Sequence, residues 1–134
     1  MKMRYVIYGL SGICMEVLWT ALGSLLNNDY HLIGRTNLWM FFIYGLAIFL
    51  EPIHNFLRNY NIFLRGGVYA VLIFITEYST GLFLQALLGS CPWYYTDSLS
   101  FHGLITFSYI PAWFVVGLLF EKLHDLLTKL YIKY

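Results

Sequence analysis

Four stretches of this chain are apolar enough, and nearly long enough, to cross a lipid bilayer, and each carries a glutamate. A bilayer core of roughly 30 Å takes about 20 helical residues. The stretches run over about 5–26, 38–57, 66–89 and 103–126. Asn27-Asn28-Asp29, Asn59-Tyr60-Asn61 and Ser90-Cys91-Pro92 break the chain between them. The expected fold is an all-α membrane protein. It is a bundle of four transmembrane helices running up-down-up-down, in one integral membrane domain over 1–134.

Composition excludes the other classes. The chain has 134 residues, 60% hydrophobic and only 11% charged, where a soluble domain is about 25% charged. A small soluble protein has too much surface to hide so apolar a sequence. Soluble-enzyme, disordered, collagen-like and disulfide-stapled readings fall away. The net charge of +1 gives no electrostatic footprint for nucleic acid. The partner that remains is the lipid bilayer. A second copy or a membrane-complex subunit is expected beside it, because four short helices scarcely enclose a pathway.

Basic residues set the orientation. Lys2, Arg4, Arg58, Arg65, Lys122, Lys129 and Lys133 fall on one side of the four stretches, and Arg35 alone on the other. The positive-inside rule then places both termini in the cytoplasm. Trp39, Trp93, Tyr94 and Tyr95 mark the outer boundary, and Tyr5, Tyr60 and Tyr131 the inner one. The first stretch is expected to be retained, since it exceeds a signal-peptide core and contains Glu16. Cys14 and Cys91 have no metal-ligand spacing and are not expected to pair.

The two halves resemble each other. Glu16, His31, then Glu51-Pro52-Ile53-His54 is followed by Glu77, His102, then Glu121-Lys122-Leu123-His124. Two helices per half imply a parallel repeat about an axis along the membrane normal.

An acid inside a membrane helix is costly and by default marks a functional site. At about 1.5 Å per residue, Glu16, Glu51, Glu77 and Glu121 can meet in one layer of the cytoplasmic half. The reading drawn from this is a permease-like protein whose carboxylate cluster binds a proton or cation. His31, Arg35 and His102 would line an outer mouth, and His54 and His124 would be relays near the inner exit. An alternative takes Glu16, Glu51, His54, Glu77, Glu121 and His124 as metal ligands. One Glu from each of two helices and Glu-x-x-His from each of the others is the ligand set of di-iron and di-manganese bundles. An iron or manganese pair would then oxidise a lipid or quinone. Pro52 inside one motif and the interfacial depth of both histidines count against it. A third reading is an accessory or structural subunit whose glutamates pair with hydroxyls.

Glu16-Val-Leu-Trp-Thr-Ala21, Leu38-Trp39-Met-Phe-Phe-Ile-Tyr44-Gly45, Glu77-Tyr78-Ser79-Thr80-Gly81, Cys91-Pro92-Trp93-Tyr94-Tyr95 and Gly103-Leu-Ile-Thr106 with Pro111 and Trp113 carry a family resemblance. The chain resembles the transmembrane protein 229 family, which is grouped with the bacterial CmpB-type ABC-transporter permeases. The resemblance reaches from the first stretch to Glu121 and implies a membrane-embedded, permease-like protein whose four glutamates match the family pattern. That pattern has Asp where this chain has Tyr94, Glu where it has Ser108, and no histidine at the positions of His54 and His124. Those departures count against an imidazole-dependent metal site common to the family.

Overall fold

A computed structural model describes residues 2–130. Tyr131 and Lys133, expected at the inner boundary, lie outside the described residues. The helices are α1 (Lys2–Leu26), α2 (Leu38–Gly45), α3 (Glu51–Leu57), α4 (Ile62–Leu88) and α5 (Ile110–Lys129). A 3-10 segment, Leu46–Leu50, runs from α2 into α3. Its cause is Pro52 in the first turn of α3. Proline has no N–H to donate, and its ring crowds the carbonyl four residues back, so an α-helix cannot run straight through. Lys2–Leu26, Leu38–Leu57 and Ile62–Leu88 are each long and apolar enough to cross a membrane.

The fourth helix corrects the sequence reading. It begins at Ile110 and not near Gly103. Residues before it form a two-stranded antiparallel hairpin, β1 (Ser100–Phe101) and β2 (Ile105–Thr106), with Ser100 opposite Thr106 and Phe101 opposite Ile105. His102 and Gly103 turn the hairpin at φ 53° and 68°. A left-handed backbone suits glycine at the second of these positions. A short 3-10 turn, Phe107–Tyr109, follows, and Pro111 then opens α5, where its missing N–H costs nothing. The apolar run from Gly103 therefore reads as span on hydropathy alone, while its turn chemistry makes it a hairpin.

The chain forms two compact units, one ending at Ile48 and the other starting at Phe49. In the first, α1 and α2 pack with glycine against aromatic rings. Gly9 lies against Phe41, Gly12 against Tyr44, and Gly45 against Tyr5, with no room for a Cβ. Tyr5 donates to the Phe42 carbonyl at 2.7 Å. The segment between the helices folds back on α1, where the Arg35 N–H donates to Thr20 Oγ1 at 2.8 Å.

In the second unit α4 and α5 pack the same way. Gly117 faces Tyr69, and Gly66 faces the Phe114 ring. Asn61 caps α4 by accepting from the Leu64 N–H at 2.8 Å. Gly89 closes it in a left-handed turn. The segment after α4 is built on side-chain ties. Trp93 Nε1 donates to the Leu104 carbonyl at 2.9 Å, and both residues sit over Gly81. The Asp97 carboxylate accepts from the hydroxyls of Thr106, at 2.6 Å, and Ser108.

The distribution of polarity is inverted relative to a soluble protein. Arg4, Glu51, His54, Glu77, Glu121 and His124 are buried, while Leu18, Leu22, Phe63, Val71, Ile75 and Phe83 are exposed. Exposed apolar faces of this extent suit hydrocarbon as the solvent, where every polar group must find a partner inside.

Two predictions follow from this packing. Gly117→Ala pushes a methyl into Tyr69 and should cost about 1–3 kcal/mol in reversible unfolding in micelles. Gly67→Ala, which meets nothing, should cost nothing or stabilise α4. The second concerns the hairpin. The Ser108 and Thr106 hydroxyls hold the Asp97 carboxyl below its usual value. Its folded pKa is below the unfolded one, so its contribution is complete above about pH 3.9 and disappears as pH falls through the folded value. Amide exchange across Ser100–Thr106 should quicken only in that acid window, and Asp97→Asn should remove the pH dependence.

Candidate functional site

One end of the second unit gathers most of its buried ionisable side chains. Helical spacing explains how. Residues at i, i+3, i+4 and i+7 share a face, and α3 with the residue after it presents Glu51, His54, Asn55 and Arg58 on one stripe. The end of α5 presents Glu121, His124, Asp125 and Thr128 in the same register. The first turns of α4 add Arg65 and Tyr69.

These stripes interlock. Arg65 Nε lies 3.1 Å from Glu121 Oε2, and the Tyr69 hydroxyl donates to the same oxygen. Glu121 therefore carries its charge between a guanidinium and a phenol. His124 Nδ1 lies 3.2 Å from Glu51 Oε1, and its Nε2 lies 3.0 Å from Asn55 Oδ1. Arg58 reaches across to Asp125, bonding both carboxylate oxygens, and also donates to Asn55 Oδ1 at 3.4 Å. His54 sits among them, 0% exposed. Its ring centroid is 4.7 Å from that of Tyr69 and 5.7 Å from that of His124. Neither of its nitrogens has a hydrogen-bond partner.

The structure thus brings together four of the residues singled out in the sequence: Glu51, His54, Glu121 and His124. Both histidines are buried within the protein, being 0% and 2% exposed. Glu121, at 5%, does not emerge with Lys122, which is exposed. Glu77 is not part of this group. It lies eight residues beyond Tyr69 on α4, about 12 Å along the axis, and accepts from the Tyr95 hydroxyl at 2.6 Å. Tyr95 in turn packs edge-on against Tyr109, and Tyr109 against Trp113. Glu16 belongs to the first unit, where the Tyr44 and Thr36 hydroxyls donate to its carboxylate.

His31 is exposed and its Nδ1 lies 2.8 Å from Asp29 Oδ1, a contact that holds the Asp29 carboxyl below its usual value. Arg35 is exposed, its backbone bound to Thr20. His102 is exposed, stacks on Phe101, and shares a 2.9 Å hydrogen bond with the Tyr78 hydroxyl. Cys14 and Cys91 are both free thiols.

The metal-ligand set expected from Glu-x-x-His does not form a donor cage here. Both nitrogens of His124 are engaged by Glu51 and Asn55, and Glu121 is already matched by the Arg65 cation. Among the described residues no group of three or more His, Cys, Asp or Glu is arranged to hold a metal ion.

Sequence reasoning missed Arg65, Tyr69, Asn55, Arg58 and Asp125 as site residues. A signal for two of them was present. Arg-x3-Tyr-x7-Glu occurs at Arg4, Tyr8 and Glu16, and again at Arg65, Tyr69 and Glu77. Arg4 and Tyr8 are themselves 2% and 0% exposed. In sequence, an arginine at the mouth of an apolar helix is a topology signal.

The ion pair between Arg65 and Glu121 yields a direct test. Removing one partner of a buried pair strands the other charge. Arg65→Gln should lower unfolding stability by about 3–5 kcal/mol. Tyr69→Phe, losing one hydrogen bond to a charged group, should lower it by about 1.5–3 kcal/mol. The order of the two losses in micelle denaturation is the expected outcome.

No solved structure matches the chain. A family model described as "Putative ABC-transporter type IV" matches residues 3–134. Three helices of membrane-spanning length fit a permease-like membrane protein. By a match over nearly its whole length, the chain belongs to this CmpB-type ABC-transporter family.

Proposed function

We propose that this chain is a permease-like membrane protein whose carboxylate–imidazole cluster binds and releases a proton. One observation carries the reading. His124 is clamped between Glu51 and Asn55 beside a fully buried His54. Ionisable groups are expensive in a membrane helix and are kept there for proton or ion movement. A structural core needs its polar groups only satisfied, and His54 is not.

The proposal extends to the finer points of the fold. Both termini face the cytoplasm, so the cluster lies toward the inner face, with His31, Arg35 and His102 on the outer side. The halves are a tandem repeat, which the recurring Arg-x3-Tyr-x7-Glu pattern supports. Glu16 and Glu77, each held by hydroxyls, are the equivalent acids nearer the middle of the membrane. The sequence strings place the chain near the transmembrane protein 229 branch. A second copy or a membrane-complex partner completes the pathway.

The test is proton flux into liposomes holding the purified protein, driven by an imposed pH gradient. Wild type should acidify the lumen faster than empty liposomes. Glu51→Gln should slow the flux at least about tenfold, equivalent to about 1.4 kcal/mol in the barrier. Lys122→Gln, at an exposed position, should leave it unchanged. Wild-type flux equal to that of empty liposomes contradicts the reading. Elemental analysis of the same preparation addresses the di-metal alternative. About two iron or manganese per chain, lost in a His54→Ala/His124→Ala variant, would replace proton binding with metal chemistry.

A further inference from the structure

The hydrogen bonds around His124 fix where its protons lie. Arg58 can only donate, so the side-chain atom of Asn55 that faces it is the amide oxygen. That same oxygen faces His124 Nε2, so Nε2 carries a hydrogen. His124 Nδ1 then faces Glu51 Oε1, an acceptor in the ionised state. That line has room for one proton. It sits on Nδ1, giving an imidazolium beside a carboxylate, or on Glu51, giving a neutral pair.

His54 is the group this arrangement leaves unused. It is wholly buried, and neither ring nitrogen has a hydrogen-bond partner. Each unsatisfied buried polar atom costs about 1–3 kcal/mol. A phenylalanine ring would fill the position without that cost. The groups facing His54 are Glu51 from its own helix, Tyr69 from α4, and His124, Glu121 and Asp125 from α5. The His54 and His124 rings lie side by side, with centroids 5.7 Å apart.

We infer that His54 is the second station for the proton shared by Glu51 and His124. This deepens the proton reading above and rests on it. His124 turns out of the clamp between Glu51 and Asn55 toward the neighbouring ring. The Nδ1–H bond of the His124 imidazolium breaks and its electron pair stays on His124, which becomes neutral. A new N–H bond forms on the lone pair of His54, which becomes the imidazolium. Glu51 keeps its charge, and the cluster as a whole neither gains nor loses a proton in this step.

The test uses the full chain in lipid nanodiscs with nitrogen-15 in its histidine rings. Only four histidines are present, so each signal can be assigned by single substitution. Ring nitrogen shifts distinguish the two neutral tautomers from the imidazolium. The expected result is that His54 and His124 titrate in two coupled steps separated by about one pH unit or more. In His54→Phe, thermal stability should hold or rise while His124 collapses to a single step. His54→Gln, which keeps a donor and an acceptor but no titrating group, should give the same single step. The proposal is overturned if His54 stays one neutral tautomer wherever the protein is folded. It is equally overturned if the His124 titration is the same in both variants as in wild type. Absence of proton flux in liposomes together with the two-step titration would overturn the permease reading and leave His54 as a proton site.

Discussion

The second unit depends on finding partners for two glutamates buried among helices whose outer faces are apolar. Taking a carboxylate out of water costs several kcal/mol even after relaxation, and the cost is recovered only with good geometry and further hydrogen bonds. Glu121 meets that condition with a cation and a phenol, both supplied by α4. Glu51 meets it with an imidazole supplied by α5. Each acid is thus answered from a different helix, which is why α3, α4 and α5 must converge at one end. The glycines at 66 and 117 serve the same convergence, since they let α4 and α5 approach against Phe114 and Tyr69.

The two carboxylates have different partners. Glu121 faces an arginine, whose charge is permanent. Glu51 faces a histidine, whose charge changes with modest shifts in its surroundings. Asn55 and the Arg58–Asp125 pair hold that histidine in one orientation from the more exposed side.

Much of this was legible in the residues. Apolar length gave the spans, Pro52 marked the break before α3, and the i, i+3 spacing of Glu-x-x-His put each acid and imidazole on one face. Three things were not legible. The start of α5 was hidden because Leu104 and Ile105 are as apolar in a hairpin as in a helix, and the turn at His102–Gly103 had to be recognised first. The grouping of the acids was hidden because depth along a helix says nothing about azimuth. Glu77 and Glu121 have similar calculated depths, but Glu77 binds Tyr95 from the segment after α4. The partners were hidden because arginine and tyrosine near a helix end are ordinary boundary residues by composition. Only a fold shows that Arg65 and Tyr69 turn inward.

The central claim is that Glu51 and His124 share one proton across a direct contact. Solid-state NMR of the full chain in lipid, with nitrogen-15 in histidine rings and carbon-13 in glutamate carboxyls, measures that contact as a dipolar coupling. The account predicts a strong coupling at His124 Nδ1, consistent with the 3.2 Å approach to Glu51, and its loss in Glu51→Leu. No coupling at His124 in the wild-type protein, or one that survives Glu51→Leu, would contradict it.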